Sequence, residues 1–433
     1  MLPTRDPQPD APRTFLFLQG LASPFFAELG RELMARGHRV RRINISLGDR
    51  LFWRHPAIDY RGSLANWRAF VSDLMKGEAV TDIVLFGDCR PYHRIAIHIA
   101  GYRGIRVHVC EEGYLRPNWM TVEQGGVNGH SSLPRRRDAI LAAARELPVD
   151  GEVRDFPGSF ARRAFWDVSY NLANIVGRPL YIGYRRHRPN HVLVEYAGWL
   201  KRLLTRNRTN AHAEAEAERA FAAPAGFYLV PLQLDSDYQI RVHSQYGVLG
   251  EFLDEVCHSF AHHAPAGTEL LVKVHPLDNG LIDRRRQVMA IAARHGIADR
   301  VRCIDGGYLP TLLVKTLGVV VVNSTVGLTA IEVGRPTVAL GTSIYNVPGL
   351  AHQGSLDAFW SELTPPDPEL VRAFRRLVIH RTQINGSYFD TDGIANAARE
   401  AADRVTAPAP VTPAGRVAQL DPAPPFRRPL AAE

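Results

Sequence analysis

The chain has 433 residues, 45% of them hydrophobic and 22% charged, with a formal net charge of +8. That length exceeds one ordinary core and predicts two domains, and the composition is that of a globular protein. No apolar run approaches the ~20 residues needed to span a bilayer, and the apolar stretch 14–21 is too short, and too broken by Gln19, for a signal peptide.

Cys89, Cys110, Cys257 and Cys303 lie far apart with no CxxC spacing. They read as reduced, mostly buried thiols of a cytosolic protein, neither a zinc site nor a disulfide framework. The proline-rich ends, 1–13 and 406–433, are expected as disordered tails that add nothing to a core.

Residues 14–18 carry a buried-strand pattern, and 24–36 predicts a helix with Phe25, Phe26, Leu29, Leu33 and Met34 on its apolar face. Residues 38–44 predict the next strand. The turn of this βαβ start holds Gln19 and Gly20 and lacks the GxGxxG of a dinucleotide fold. A strand at 82–86 ends at Gly87-Asp88-Cys89-Arg90, a helix follows at 92–100, and a strand at 105–109 ends at Glu111-Glu112-Gly113. The alternation predicts a parallel, doubly wound sheet.

Residues 150–220 are rich in arginine and aromatics and are expected to be helical, with 211–223 as an interdomain connector. Arg162, Arg163, Arg178, Arg185, Arg186, Arg188, Lys201, Arg202, Arg206 and Arg208 interleave with Phe160, Phe165, Trp166, Tyr170, Tyr181, Tyr184 and Trp199. This pattern suits an anionic membrane surface or nucleic acid; a solvated basic linker is the competing reading. A second alternation runs through a strand at 227–230, a helix at 248–263, a strand from 270 to His275-Pro276 and a helix at 282–295. It continues through strands at 300–304, 319–322 and 338–340 and an amphipathic helix at 370–381. Two doubly wound, Rossmann-like α/β domains with a cleft between them is the expected architecture.

Ligands bind beyond the carboxyl ends of strands in such sheets. His275, fixed by Pro276, is placed to bond a phosphate oxygen, and Asn323-Ser324-Thr325 opens a helix whose N-terminus favours anions. The two are read as ends of neighbouring strands, with Gly327 leaving room for a ligand and Glu332 reaching a ribose. Across the cleft, one of Glu111 and Glu112 should enter, since adjacent strand residues face opposite ways. A carboxylate there serves as base or nucleophile, or as a structural acid paired with Arg116 or Arg90. Asp88 and Arg90 form a charged loop on the same rim. Gln233, Asp237, Gln239, Arg241, His243 and Ser244 are further cleft-lining candidates. No metal-ligand spacing appears, so no metal dependence is expected.

Leu18-Gln-Gly20, Phe86-Gly-Asp-Cys-Arg-Pro91, Glu111-Glu-Gly-Tyr-Leu-Arg-Pro117, Gly125-Gly-Val-Asn-Gly129, Pro231-Leu-Gln-Leu-Asp-Ser-Asp-Tyr-Gln239, Val274-His-Pro276 and Asn323-Ser-Thr-Val-Gly327 stand in this order. Together they resemble the capsule polysaccharide biosynthesis and export proteins of KpsS type, relatives of KpsC, over about residues 14–390. The resemblance implies a GT-B-like glycosyltransferase with an acceptor-side domain at 14–220, a nucleotide-sugar domain at 221–390 and a closing helix at 391–405. It implies transfer of Kdo from CMP-Kdo onto a lysophosphatidylglycerol-type phospholipid, beginning the β-Kdo linker of a capsular polysaccharide. In related β-Kdo transferases an acid directly before a glycine is the nucleophile of a retaining displacement; that role falls on Glu112, where many relatives carry aspartate. His275, Pro276, Asn323, Ser324 and Thr325 map onto the cytidine monophosphate site, and Arg116 or Arg241 would meet the sugar carboxylate. No cofactor or metal is implied. Partners are the nucleotide sugar, the lipid, the inner-membrane surface and proteins of a capsule assembly or export complex, with no nucleic acid. The implied location is cytoplasmic, peripheral on the inner face of the inner membrane. A non-catalytic export adaptor and a transferase using another nucleotide sugar are the alternatives.

Overall fold

A computed structural model describes residues 11–186, 192–235 and 238–408. The first unit begins β1 (Thr14–Phe17), α1 (Phe25–Ala35), β2 (Arg39–Asn44), α2 (Leu47–Leu51), β3 (Ile58–Asp59) and α3 (Leu64–Gly77). It continues β4 (Asp82–Phe86), α4 (Pro91–Tyr102), β5 (Arg106–Glu112), β6 (Trp119–Gln124) and α5 (Arg137–Arg145). Two long helices follow, α6 (Phe160–Val176) and α7 (Val192–Phe221).

The second unit starts with β7 (Phe227–Pro231), α8 (Tyr238–His243), α9 (Leu249–His263), β8 (Glu269–Lys273), α10 (Arg284–Arg294) and β9 (Val301–Ile304). It closes with α11 (Leu309–Lys315), β10 (Gly318–Val321), α12 (Thr325–Glu332), β11 (Thr337–Ala339) and α13 (Leu356–Phe359). The chain ends in α14 (Pro368–Thr382), β12 (Gln383–Asn385) and α15 (Thr391–Thr406).

β1, β4, β7 and β10 are buried along their whole length. Helices cover both faces of a parallel sheet, so its central strands read as unbroken apolar runs. The second sheet is parallel throughout, in the order β11-β10-β7-β8-β9. β7 therefore lies between β8 and β10, and the strands leading to His275 and Asn323 are not neighbours as expected.

The first sheet, ordered β12-β6-β5-β4-β1-β2-β3, is mixed where a parallel one was expected. β6 runs antiparallel to β5, pairing Glu111 with Thr121 and Glu112 with Met120. The two carboxylates thus lie inside the strand, which continues past the expected end at 109. β12 then pairs antiparallel with β6, and α15 lies against α1. These pairings also move a domain limit: 383–406 completes the first unit, whereas the second was expected to reach 390. Asp390 caps α15 through the Gly393 amide at 2.8 Å, which gives the returning chain a sharp helix start.

Among the described residues no helix is long and apolar enough to cross a membrane. The four cysteines are buried and free of disulfides.

Asp82, at the start of β4, is fully buried and ties three segments together. It accepts from Arg13 Nε at 2.9 Å, Arg106 Nε at 2.9 Å and His108 Nε2 at 2.8 Å. Burial works to raise its pKa, but the hydrogen bonds from His108, Arg13 and Arg106 hold it well below the usual carboxylate range. A depressed native pKa stabilises the fold above the unfolded value near ~4 and loses that contribution as pH falls. Asp82→Ala, which strands buried cations, should cost about 3–5 kcal/mol in denaturant unfolding at pH 7. The difference from wild type should shrink below pH 4, and a pH-independent difference would contradict this account.

Candidate functional site at the seam of two sheets

Gln19, following β1, is buried and fully engaged. Its amide donates to Tyr170 at 3.0 Å, Tyr184 at 3.2 Å and Asp49 at 3.3 Å, while Oε1 accepts from Arg90 at 3.2 Å. Arg90 also donates to the Gly20 carbonyl at 2.9 Å. Gln19 and Gly20 hold Arg90 in place instead of lining an open cleft.

Glu111 and Glu112 diverge as the strand pleat requires. Glu111 turns toward the Gly87–Cys89 loop, where its charge helps raise the Cys89 thiol pKa behind the larger effects of burial and Asp88. Glu112 meets Arg163 of α6 at 3.4 Å, so its basic partner is neither Arg116 nor Arg90. Arg116 donates to the Gly113 carbonyl at 3.2 Å, and its charge is felt at His275 of the second unit.

His275 follows β8. Its Nδ1 accepts the Leu277 amide at 3.0 Å, which leaves the proton on Nε2 for a ligand. Burial, then the positive charges of Arg116 and Lys273, push its pKa down to about 4. A neutral imidazole in a positive field can donate to an anion without carrying charge itself.

After β10, Asn323 pairs with Gln233 from the end of β7: Gln233 Nε2 donates to Asn323 Oδ1 at 2.9 Å, and the Asn323 amide donates back at 3.3 Å. Gln233 thus ties the end of β7 to the end of its neighbour β10. Ser324 caps α12 by accepting the Val326 amide at 3.2 Å. Asn323 and Thr325 face Tyr114 and Asn128 of the first unit across a narrow gap. Gly327 has a different reason from the one expected: a Cβ there would lie 2.4 Å from the Tyr345 hydroxyl, so packing requires it. Glu332, at the far end of α12, is tied to Arg375 of α14 at 3.2 Å where a ribose contact was expected. Asp237 lies outside the described residues, as do Arg188 and the side chains of Gln239 and Arg241.

The remaining candidates form a cluster no local spacing announced. Asp88 accepts from His130 Nδ1 at 2.9 Å, from the Val127 amide at 3.2 Å and from the Cys89 thiol at 3.1 Å. His243, from the second unit, meets Cys89 Sγ at 3.6 Å and packs its ring 4.5 Å from His130. Burial, then the His130 charge, lowers the His243 pKa to about 4. Burial opposes ionisation of Asp88, yet the His130 hydrogen bond and charge bring its pKa below the usual value. Ligand-competent atoms of Asp88, Cys89, His130 and His243 all lie within 4.8 Å of one another. His130 and Cys89 were not among the expected site residues; the loops Gly87–Pro91 and Gly125–Gly129 were the visible signal. His243 and Ser244 also line a cavity of about 460 Å³ with Arg135, Gly341, Thr342 and Asn346. Arg135 crosses the seam to the Ser343 carbonyl at 2.8 Å.

Two α/β units meet at this seam, with the Ser324-capped start of α12 on the second side. The family described as "Capsule polysaccharide biosynthesis protein" matches residues 81–389. The chain is 34% identical over 390 residues to the capsule polysaccharide modification protein LipB of Neisseria meningitidis serogroup A, covering 88% of this chain and 92% of LipB. It is 32% identical over 379 residues to the capsule polysaccharide export protein KpsS of Escherichia coli, covering 87% of this chain and 97% of KpsS. A solved structure of Thermosulfurimonas dismutans KpsC, a beta Kdo 2,7 transferase, aligns with a TM-score of 0.44 at 13% identity, covering 91% of this chain and 98% of that one. The protein belongs to the capsule polysaccharide biosynthesis family.

A Cβ at Gly129 would stand 2.3 Å from His243 Nδ1. Gly129→Ala should therefore push His243 from the seam and destabilise the protein by about 1–3 kcal/mol, read as a lower melting temperature. An unchanged melting temperature would show that the contact is not tight.

Proposed function

We propose that this protein is a retaining glycosyltransferase that moves Kdo from CMP-Kdo onto a lysophosphatidylglycerol-type lipid, starting the β-Kdo linker of a capsular polysaccharide. The observation that carries the reading is His275: a neutral imidazole with its proton on Nε2, at a strand end, under the positive charges of Arg116 and Lys273. The N-terminus of α12 offers a second anion-binding element. The names of LipB and KpsS, and the transferase activity printed for KpsC, agree with sugar chemistry in capsule synthesis.

In this reading Glu112 attacks the anomeric carbon and CMP departs. The phosphate takes the bond's electron pair, and His275 Nε2–H and the α12 amides stabilise its charge, so the leaving group needs no metal. The acceptor hydroxyl then displaces Glu112 and yields its proton to a base. Arg163, 3.4 Å from Glu112, can hold the carboxylate in place for the attack. Glu111, on the loop side of the strand, is the other carboxylate within the site.

The lipid acceptor places the enzyme at the cytoplasmic face of the inner membrane. More than half of the exposed large apolar side chains among the described residues lie between 160 and 204. On α6 they fall at Phe160, Phe165, Val168, Leu172, Ile175 and Val176, and on α7 at Leu193, Val194, Leu200, Leu203 and Leu204. Phe165, Val168, Leu172 and Ile175 on α6, and Leu193, Leu200 and Leu204 on α7, follow helical spacing and form stripes. Exposed Arg178, Lys201, Arg206 and Arg208 flank them, the arrangement of an interfacial surface on anionic lipid.

Incubation with CMP-Kdo and fluorescent lysophosphatidylglycerol should give a product heavier by one Kdo residue in mass spectrometry. His275→Ala should slow transfer by about 10²–10³-fold, and Glu112→Gln should reduce it to background, with melting temperatures preserved. Wild-type rates in either variant would remove the assigned role. Absence of product, together with a thermal shift from UDP or GDP but not CMP, would favour another nucleotide sugar; no shift from any of the three would favour an adaptor.

Leu172→Ser with Leu203→Ser should weaken co-sedimentation with phosphatidylglycerol vesicles while leaving transfer to a soluble, short-chain acceptor unchanged. Equal binding to anionic and neutral vesicles by wild type would contradict the electrostatic part of the docking.

A further inference from the structure

We propose that Asp88, Cys89, His130 and His243 form a zinc site that joins the two α/β units. The four donors come from three distant stretches of chain, and their ligand-competent atoms lie within 4.8 Å of one another. Zinc takes thiolate, imidazole and carboxylate ligands at about 2.0–2.3 Å, which sets neighbouring donors in a tetrahedron about 3.3–3.7 Å apart. Cys89 Sγ and His243 Nε2 already stand at 3.6 Å. Asp88 and His130, hydrogen-bonded at 2.9 Å, need to part by only a few tenths of an ångström. One thiolate with two imidazoles favours zinc over magnesium or calcium, which prefer all-oxygen shells.

The surroundings suit a closed, structural site. Asp88, Cys89 and His243 are buried, and the His130 side chain, 22% exposed, leaves a route of entry. The Val127 amide supports Asp88 from outside the ligand set, as outer contacts do around metal ligands. On binding, the Cys89 thiol proton leaves to water, and the His130 ring proton now shared with Asp88 moves to the other ring nitrogen. No other bond changes. Because Asp88, Cys89 and His130 belong to the first unit and His243 ends α8 of the second, the ion pins the seam between them. This site does not depend on the proposed transfer reaction, whose leaving group is served by His275.

The test uses the full chain, tag removed, purified without chelator and dialysed against zinc. Elemental analysis should find about one zinc per chain. Cys89→Ser and His243→Asn should each lower occupancy at least tenfold, whereas Cys257→Ser, a buried cysteine elsewhere, should retain it. Cobalt(II) loaded into wild type should show tetrahedral d–d bands and a sulfur-to-cobalt charge-transfer band. The wild-type cobalt spectrum decides the matter even where a variant fails to fold: absence of the sulfur band overturns the proposal. So does zinc well below stoichiometry, or full zinc retention by both Cys89→Ser and His243→Asn.

Discussion

The return of the chain to its first sheet is the constraint on which the rest depends. After the second unit is complete, β12 pairs with β6 and α15 packs against α1. The two units are therefore joined twice, once through α7 and once through α14. A double connection limits how far the facing strand ends can part. It lets residues as remote as Cys89 and His243 remain neighbours across a seam with no covalent link nearby. α14 strengthens the join through Asp367 at its N-terminus, which meets Arg137 of α5 at 2.7 Å.

Within that frame the two sides of the seam are built differently. The first unit brings Asp88 to the seam, steadied by His130 and the Val127 amide. The second supplies donors: the imidazole of His275, the amides opening α12, and Gln233 locked to Asn323. The buttress of Tyr114, Glu123 and Ser131 braces the first unit's wall of the narrow gap opposite Asn323 and Thr325. Glu123 is buried, accepts from Tyr114 at 2.6 Å and Ser131 at 2.5 Å, and has its pKa pushed up to about 7 chiefly by that burial.

Much of this was legible from residue pattern. β1, β4, β7 and β10 are apolar runs that only a doubly covered sheet explains, and the motif loops marked where the strands end. The reversal at β6 was not, because Glu111 and Glu112 look like loop residues until an antiparallel neighbour supplies their backbone partners. Nor could spacing reveal the strand between β8 and β10, since strand order is a property of long-range pairing. The partners of individual side chains were the least visible. Nothing near Glu112 in sequence points to Arg163, and nothing near Gly327 points to Tyr345. Such contacts are set by the packing of whole elements, which no local window contains.

One consequence concerns α6. The same helix presents Phe165, Val168 and Leu172 outward and sends Arg163 inward to Glu112. The Arg163 guanidinium also sits 4.8 Å from the centre of the Phe389 ring, in the chain segment between β12 and α15. A helix moves as a rod over so short a length. Whatever settles against its outer face also bears on how Arg163 stands against Glu112, so α6 acts as a lever between the protein's surroundings and that ion pair.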